Sequence, residues 1–169
     1  IATDAAVAKD VNGLPYIPGT SIAGVVRHAL EDNGLNLDMS FGNQKQGSER
    51  GSEIIFSEAR MIGVAGKAVD GLQTIDFSND FYRHYDSLPV RQHVRIGHKG
   101  AAEAHGKFDE QVVLKGTRFC FEIEAVSETD EDSTFCEVLR TLHNAEFRIG
   151  GGSRKGFGKI VVKEFKKKT

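Results

Sequence analysis

Five glycines stand between Gly150 and Gly158, in the run "RIGGGSRKGFGKIVV". Glycine lets a ligand approach the main chain closely, and successive outward N–H groups form a concave nest that suits an anion. A plain connection from helix to strand needs one or two glycines and has no use for so many. With Ser153, Arg154 and Lys155 in the same run, Gly150, Gly151 and Gly152 are candidate contacts to a sugar-phosphate chain. The run is not a Walker A loop, because Lys159 is followed by Ile160 where Ser or Thr is required, and a strand pattern follows where a helix should. No dinucleotide-binding spacing fits it either.

A second stretch, "GLPYIPGTSIAGVVRHALEDNG" from Gly13 to Gly34, carries related chemistry. Pro18 and Gly19 shape a turn, Thr20 and Ser21 add hydroxyls, and an apolar-periodic run begins at once. The free N–H groups of a first helical turn, and the helix dipole behind them, favour an anion there. Arg27, two turns along and off the apolar stripe, can meet a phosphate as a bidentate donor. Alone, this is an ordinary helix start with a surface arginine; two phosphate-ready elements in one small domain favour a phosphate ligand. Asp4 and Asp10 bracket the approach to the turn. An aspartate beside bound phosphates can hold Mg²⁺ or orient a 2′-hydroxyl, and can equally do no more than form a turn.

Other chemistries find little support. The 6 histidines lack helical i, i+4 pairing and cysteine partners, which argues against zinc. Cys120 and Cys136 form neither a CxxC pair nor a disulfide framework and read as reduced thiols. No Ser-His-Asp or Cys-His arrangement is indicated.

The elements that must position these residues follow from periodicity. Ile22, Val25, Val26, Ala29 and Leu30 make one helical stripe, with Thr20 or Ser21 as its cap and Gly34 at its left-handed end. Phe135, Val138, Leu139 and Leu142 repeat that spacing over Thr134 to Asn144, where Thr134 and Glu137 spell a capping box. Strand alternation runs from Arg118 to Val126, and Glu53 to Ile62 and Gly158 to Phe165 are further strands. Within the long middle, Gly63 to Gly116, "LPVRQHVRIG" and "GKFDEQVVLKG" flank the tip "HKGAAEAHG" and predict a projecting hairpin. The order is that of an α+β, ferredoxin-like βαββαβ core lacking its opening strand. Ile1 to Gly13 is too polar and broken to supply that strand, so it is expected upstream of this segment.

A length of 169 residues, with 39% hydrophobic and 27% charged, suits one globular domain. No apolar run reaches the ~20 residues of a membrane span, and no secretory signal is evident, so a cytoplasmic setting is expected. The net charge of −2 hides a strong asymmetry. Between Phe119 and Leu139 acids stand without a single Lys or Arg, whereas from Glu146 onward Arg148, Arg154, Lys155, Lys159, Lys163 and Lys166 to Lys168 face only Glu146 and Glu164. Arg91, Arg95 and neighbouring histidines add a third region. One basic surface on an acidic body is compatible with a phosphate backbone.

Taken in order, "TDAAVAKDVNGLPYIPGTSIAGVVRHAL", "FGNQKQG", "GSEIIFSEARMI", "RQHVRIGHKGAAEAHGKFDEQVVLKGTRF" and "FRIGGGSRKGFGKIVV" resemble the RAMP superfamily of CRISPR proteins. The similarity is to the backbone subunits of type III effector complexes of the Csm or Cmr kind, or to the equivalent domain of a fused effector. The resemblance implies a single RRM-like domain over 1–169 with a thumb inserted at about 83–117. It implies as partners a crRNA guide, a target RNA and neighbouring copies or other subunits of the complex. It implies RNA contacts at Gly19, Thr20, Ser21, Gly24 and Arg27, at Arg91, His93, Arg95 and Lys99 of the thumb, and through the glycine loop. Ala23 stands where family turns commonly carry lysine, and the stacking aromatics of an RRM are not evident, so capture of the RNA backbone is expected over base readout.

The family motif Asp-Asn-Pro-Val followed by a basic-acidic pair is matched here by Asp4-Ala5-Ala6-Val7 ahead of Lys9-Asp10. That places Asp4 on the catalytic position, and the implied reaction is Mg²⁺-dependent endonucleolytic cleavage of the complementary target RNA. Three rivals remain: a non-catalytic crRNA-binding scaffold, a guide-processing RAMP endoribonuclease, and a ferredoxin-like nucleotide-binding module.

Overall fold

Ile22, Val26 and Leu30, the centre of the first apolar stripe, are all buried in helix α1 (Gly19–Asp32). The computed structural model describes residues 6–34, 37, 41–42, 51–126, 131–150 and 158–168, with backbone alone at 105 and 131–133. These fall into two compact units, Ile1–Ile17 with Ala59–Cys120, and Pro18–Glu58 with Phe121–Thr169.

The second unit contains α1, strand β2 (Ile54–Phe56), strand β7 (Ile123–Ala125) and helix α3 (Glu131–His143). Strands β2 and β7 are antiparallel, with Ile54 opposite Ala125 and Phe56 opposite Ile123. Helix α1 packs on both β2 and α3. Ile22, Val26, Leu30, Ile54, Val138 and Leu142 line its interior, each such side chain worth about 1.5–3 kcal/mol on burial. Helix, strand, strand and helix thus follow in the order expected of a ferredoxin-like fold.

The first unit is built on a three-stranded antiparallel sheet, β1 (Tyr16–Ile17), β3 (Ala59–Met61) and β6 (Phe119–Cys120), with β3 central. Its core joins Leu14, Met61, Val69, Tyr82, Tyr85 and Leu88. Both tyrosines place their hydroxyls on partners: that of Tyr82 accepts the Val64 amide at 3.2 Å, and that of Tyr85 meets the Thr117 hydroxyl at 2.9 Å. The stretch after Gly63 therefore closes a core with Leu14 and Met61 and carries a short helix, α2 (Arg83–Asp86). Beyond it, β4 (Val90–Ile96) and β5 (Ala102–Gln111) form the predicted hairpin.

Several boundaries differ from expectation. Pro18, not Thr20 or Ser21, is the N-cap of α1, and it has no side chain to cap with. Helix α3 begins at Glu131, so Thr134 lies inside it and Glu137 pairs with Arg140 one turn on. The predicted strand from Arg118 to Val126 divides into β6 and β7, because the amide and carbonyl of Glu122 turn to the Ser57 hydroxyl and amide. The hairpin tip is shorter than the glycine-rich run suggested: the turn closes between Gly97 and Ala101, with Gly100 at φ +75, and β5 is already under way at Ala102. Gly158 to Phe165 gains one bridge, Lys159 to Arg148, and no ladder among the described residues.

Candidate nucleic-acid interface

Gly19 fixes where α1 can begin. A Cβ there would lie 2.2 Å from the Phe56 carbonyl oxygen and 2.9 Å from that of Ser57, so only glycine lets the first turn settle on the end of β2. The Pro18 carbonyl accepts the Ser21 and Ile22 amides at 3.0 and 3.3 Å. The Gly19 and Thr20 amides have no intrahelical acceptor; Gly19 is buried against the end of β2, and Thr20 is exposed. No acid occupies this turn and no side chain caps it. Thr20 and Ser21, inside the turn, are exposed, so two hydroxyl-bearing residues stand at an uncapped helix end.

Gly24, one turn further, is a different case. It is exposed, and a Cβ there would meet nothing within 4 Å. Packing does not ask for glycine, which costs about 1 kcal/mol against alanine in a helix interior. Arg27 serves the chain itself: its Nε donates to Glu31 Oε1 at 2.7 Å and its Nη1 to the Gly42 carbonyl at 2.8 Å, tying residue 42 to α1.

The two ends of the glycine run meet in the same unit. The Ile149 amide donates to the Gly158 carbonyl at 2.9 Å, and Arg148 and Lys159 form an antiparallel bridge beside it. Gly150 and Gly158 both take positive φ, +95 and +80. Gly150 is exposed with open space about it, whereas a Cβ on Gly158 would lie 1.9 Å from the Ile149 carbonyl oxygen. Gly151, Gly152, Ser153, Arg154 and Lys155 lie outside the described residues, as does Asp4. Asp10 is a turn former, its Oδ1 accepting the Asn12 and Leu14 amides, both at 2.9 Å.

In the other unit, Arg91 and His93 share one face of the β4–β5 hairpin, since alternate residues of a strand point the same way, and Arg95 lies where the register shifts between Val94 and Ile96. Arg91, Arg95 and Lys99 are exposed. His93 is held more closely, stacked on Phe108 with ring centroids 5.1 Å apart and with Nε2 3.2 Å from Glu110 Oε2. Phe108 and Glu110 escaped sequence reasoning because their meeting with His93 depends on register; the alternation of "KFDEQ" was the available signal. Among the described residues no group of three or more His, Cys, Asp or Glu could hold a metal ion. Among the described residues the carboxyl of Asp76, outside these surfaces, is held below its usual value by the hydroxyl and then the amide of Ser78.

A family model described as the RAMP superfamily matches residues 1–161. The chain belongs to the RAMP superfamily. Solved structures share the fold. A chain of a type III-B Cmr-beta complex in the apo state is 16% identical, with a TM-score of 0.56, covering 90% of this chain and 85% of that one. A chain of Cmr-beta bound to cognate target RNA is also 16% identical, with a TM-score of 0.59 and the same coverage, 90% and 85%. A chain of a type IV-B CRISPR complex is 19% identical, with a TM-score of 0.54, covering 95% and 86%. A search of the curated proteins finds no match. The RAMP match takes in α1, the hairpin and the glycine run, and it stops within the segment that follows them. No helix among the described residues of this RAMP chain is long and apolar enough to cross a membrane.

Proposed function

We propose that this chain is a crRNA-binding backbone domain of a type III CRISPR effector, and that it cleaves complementary target RNA. The observation that carries the reading is the first turn of α1 in a RAMP chain: exposed Thr20 and Ser21 at a helix end with no side-chain cap or acid to compete for a ligand. Such a surface grips phosphate whatever the base sequence, as a subunit spaced along a guide must. The glycine run supplies the second grip, and the unneeded glycine at position 24 lets the RNA backbone approach the helix. A similar fold in a complex solved with cognate target RNA supports the assignment. The partners are the guide, the target and the other members of the complex. The hairpin serves as the thumb, with Arg91, His93, Arg95 and Lys99 on the RNA.

Cleavage is assigned to Asp4, whose role is to orient the attacking 2′-hydroxyl or to hold Mg²⁺ beside the phosphate. The cation's contribution is neutralisation of charge on the phosphoryl oxygens. The described residues offer no ligand cluster to add to Asp4.

Replacing Arg154 and Lys155 with alanine should weaken binding to single-stranded RNAs of unrelated sequence alike. The slope of log K against log salt should flatten by roughly 0.7 for each phosphate no longer neutralised. Binding titrations at several salt concentrations measure this, and an unchanged slope refutes the loop's assignment. Gly24→Ala separates fold from function. It should raise thermal stability by up to about 1 kcal/mol and still lower RNA affinity. Equal or better affinity with higher stability would show that nothing approaches that face.

A further inference from the structure

Lys159, Val161, Lys163, Phe165 and Lys167 occupy alternate positions near the end of the chain, and every one of them is exposed. Val161 and Phe165 keep 64% and 54% of their surface open. Past the single bridge at Lys159, residues 160–168 show neither turn nor bend, and Ile160 and Val162 are half-buried between exposed neighbours. Burial alternates with period two over residues 159–163, the mark of an extended segment, and residues 163–168 are all exposed. The lysines of the other parity are the ones with carboxylate partners, Lys166 with Glu164 at 3.3 Å and Lys168 with Glu122. Lys159, Lys163 and Lys167 form no ion pair among the described residues.

We infer that this stripe is a rail for single-stranded RNA, with Lys159, Lys163 and Lys167 on phosphates and Phe165 as a stacking platform for a base. Lysines four residues apart in extended chain stand about 13 Å from one another, which leaves room for a base on the ring between two of them. Single-strand binders combine these two features, a positive track and aromatic faces. A protein strand laid on the same face would cover Val161 and Phe165 but would bury three ammonium groups without partners, which is costly. An A-form duplex keeps its bases stacked and offers Phe165 none. The inference rests on the RNA-binding reading above and adds a surface to it, one that reaches beyond residue 161, where the family match ends.

The chain contains 0 Trp, so Phe165→Trp introduces a sole tryptophan at the platform. Its fluorescence should be quenched in a saturable way by a single-stranded oligoribonucleotide and hardly at all by a duplex of equal length. The Lys159→Ala/Lys163→Ala/Lys167→Ala variant should flatten the salt slope by about two. Phe165→Ala should lower affinity roughly five- to a hundredfold. Circular dichroism should be unchanged in each. RNA binding that survives these changes with its slope, affinity and fluorescence unaltered overturns the rail alone and leaves the proposed function standing. Failure of the unaltered chain to bind single-stranded RNA overturns both. Self-association that Val161→Ser/Phe165→Ser abolishes, with RNA binding untouched, assigns the stripe to strand pairing and also overturns the rail.

Discussion

Replacing Asp4 with alanine should lower target-RNA cleavage by at least about a hundredfold in the guide-loaded effector while leaving guide retention unchanged. In the proposed reaction the 2′-oxygen bonds to the adjacent phosphorus as it loses its proton, and the bond from phosphorus to the 5′-oxygen breaks, that oxygen taking up a proton. In-line geometry is the main requirement, and loss of a group that sets it costs rate rather than affinity. The grip on the guide is assigned elsewhere, to the first turn of α1 and the glycine run. Asp10→Ala is the informative control. Its carboxylate holds the Asn12 and Leu14 amides, so any loss there should track stability and not the chemical step. Cleavage products resolved on denaturing gels, with guide retention scored in parallel, decide the matter.

Undiminished cleavage by the Asp4 variant would make the chain a non-catalytic scaffold. Metal-independent cleavage of repeat RNA, lost on His28→Ala, would place it in the guide-processing branch. In the structure His28 is open to solvent on α1, its Nε2 3.6 Å from Asp32 Oδ2. Tight mononucleotide binding without affinity for RNA would favour the third rival, the nucleotide-binding module.

What the residues announced in advance was whatever depends on near neighbours. The α1 stripe, Gly34 in its left-handed position at φ +82, and a hairpin with a turn at glycine are all set by spacing within a few residues. Features set by distant partners stayed hidden. The alternation from Arg118 to Val126 is real, yet Ser57 takes up the backbone of Glu122 and divides the strand. Gly63 to Leu88 looked like a long connection because its apolar residues, Val69, Tyr82, Tyr85 and Leu88, are too scattered to show a period, although they close one core with Leu14 and Met61. At the candidate interface the glycines were legible as a group and not one by one. Gly19 and Gly158 answer to a carbonyl pressed against them, Gly150 to its backbone conformation, and Gly24 to neither. A carbonyl some 40 residues away leaves no trace in local sequence, which is why Gly19 read only as part of a turn.

That distinction leads to the second large effect, at Gly158. Alanine there must hold φ near +80 and find space for a Cβ 1.9 Å from the Ile149 carbonyl oxygen. The obstacle is main chain, so no side chain can swing aside to relieve it. The left-handed conformation alone costs about 1–2 kcal/mol. Displacing the pair that joins the Ile149 amide to the Gly158 carbonyl adds about 1 kcal/mol or more. With each kcal/mol worth roughly 2–4 °C in a chain of this length, thermal unfolding followed by circular dichroism should shift down by roughly 4–12 °C. Gly150→Ala, equally left-handed but in open space, should lose only the conformational part, about 1–2 kcal/mol; equal losses in the two variants would show that the close approach at Gly158 contributes nothing. The two glycines frame the mouth of the proposed RNA loop, and the Arg148–Lys159 bridge joins its two ends, so bringing them together costs nothing further at the moment of binding. The Gly158 variant, assayed below its transition, should therefore bind single-stranded RNA more weakly while keeping the salt slope of the unaltered chain, since the phosphate contacts are delayed and not deleted. Full affinity in a destabilised but folded variant would separate the mouth from the grip.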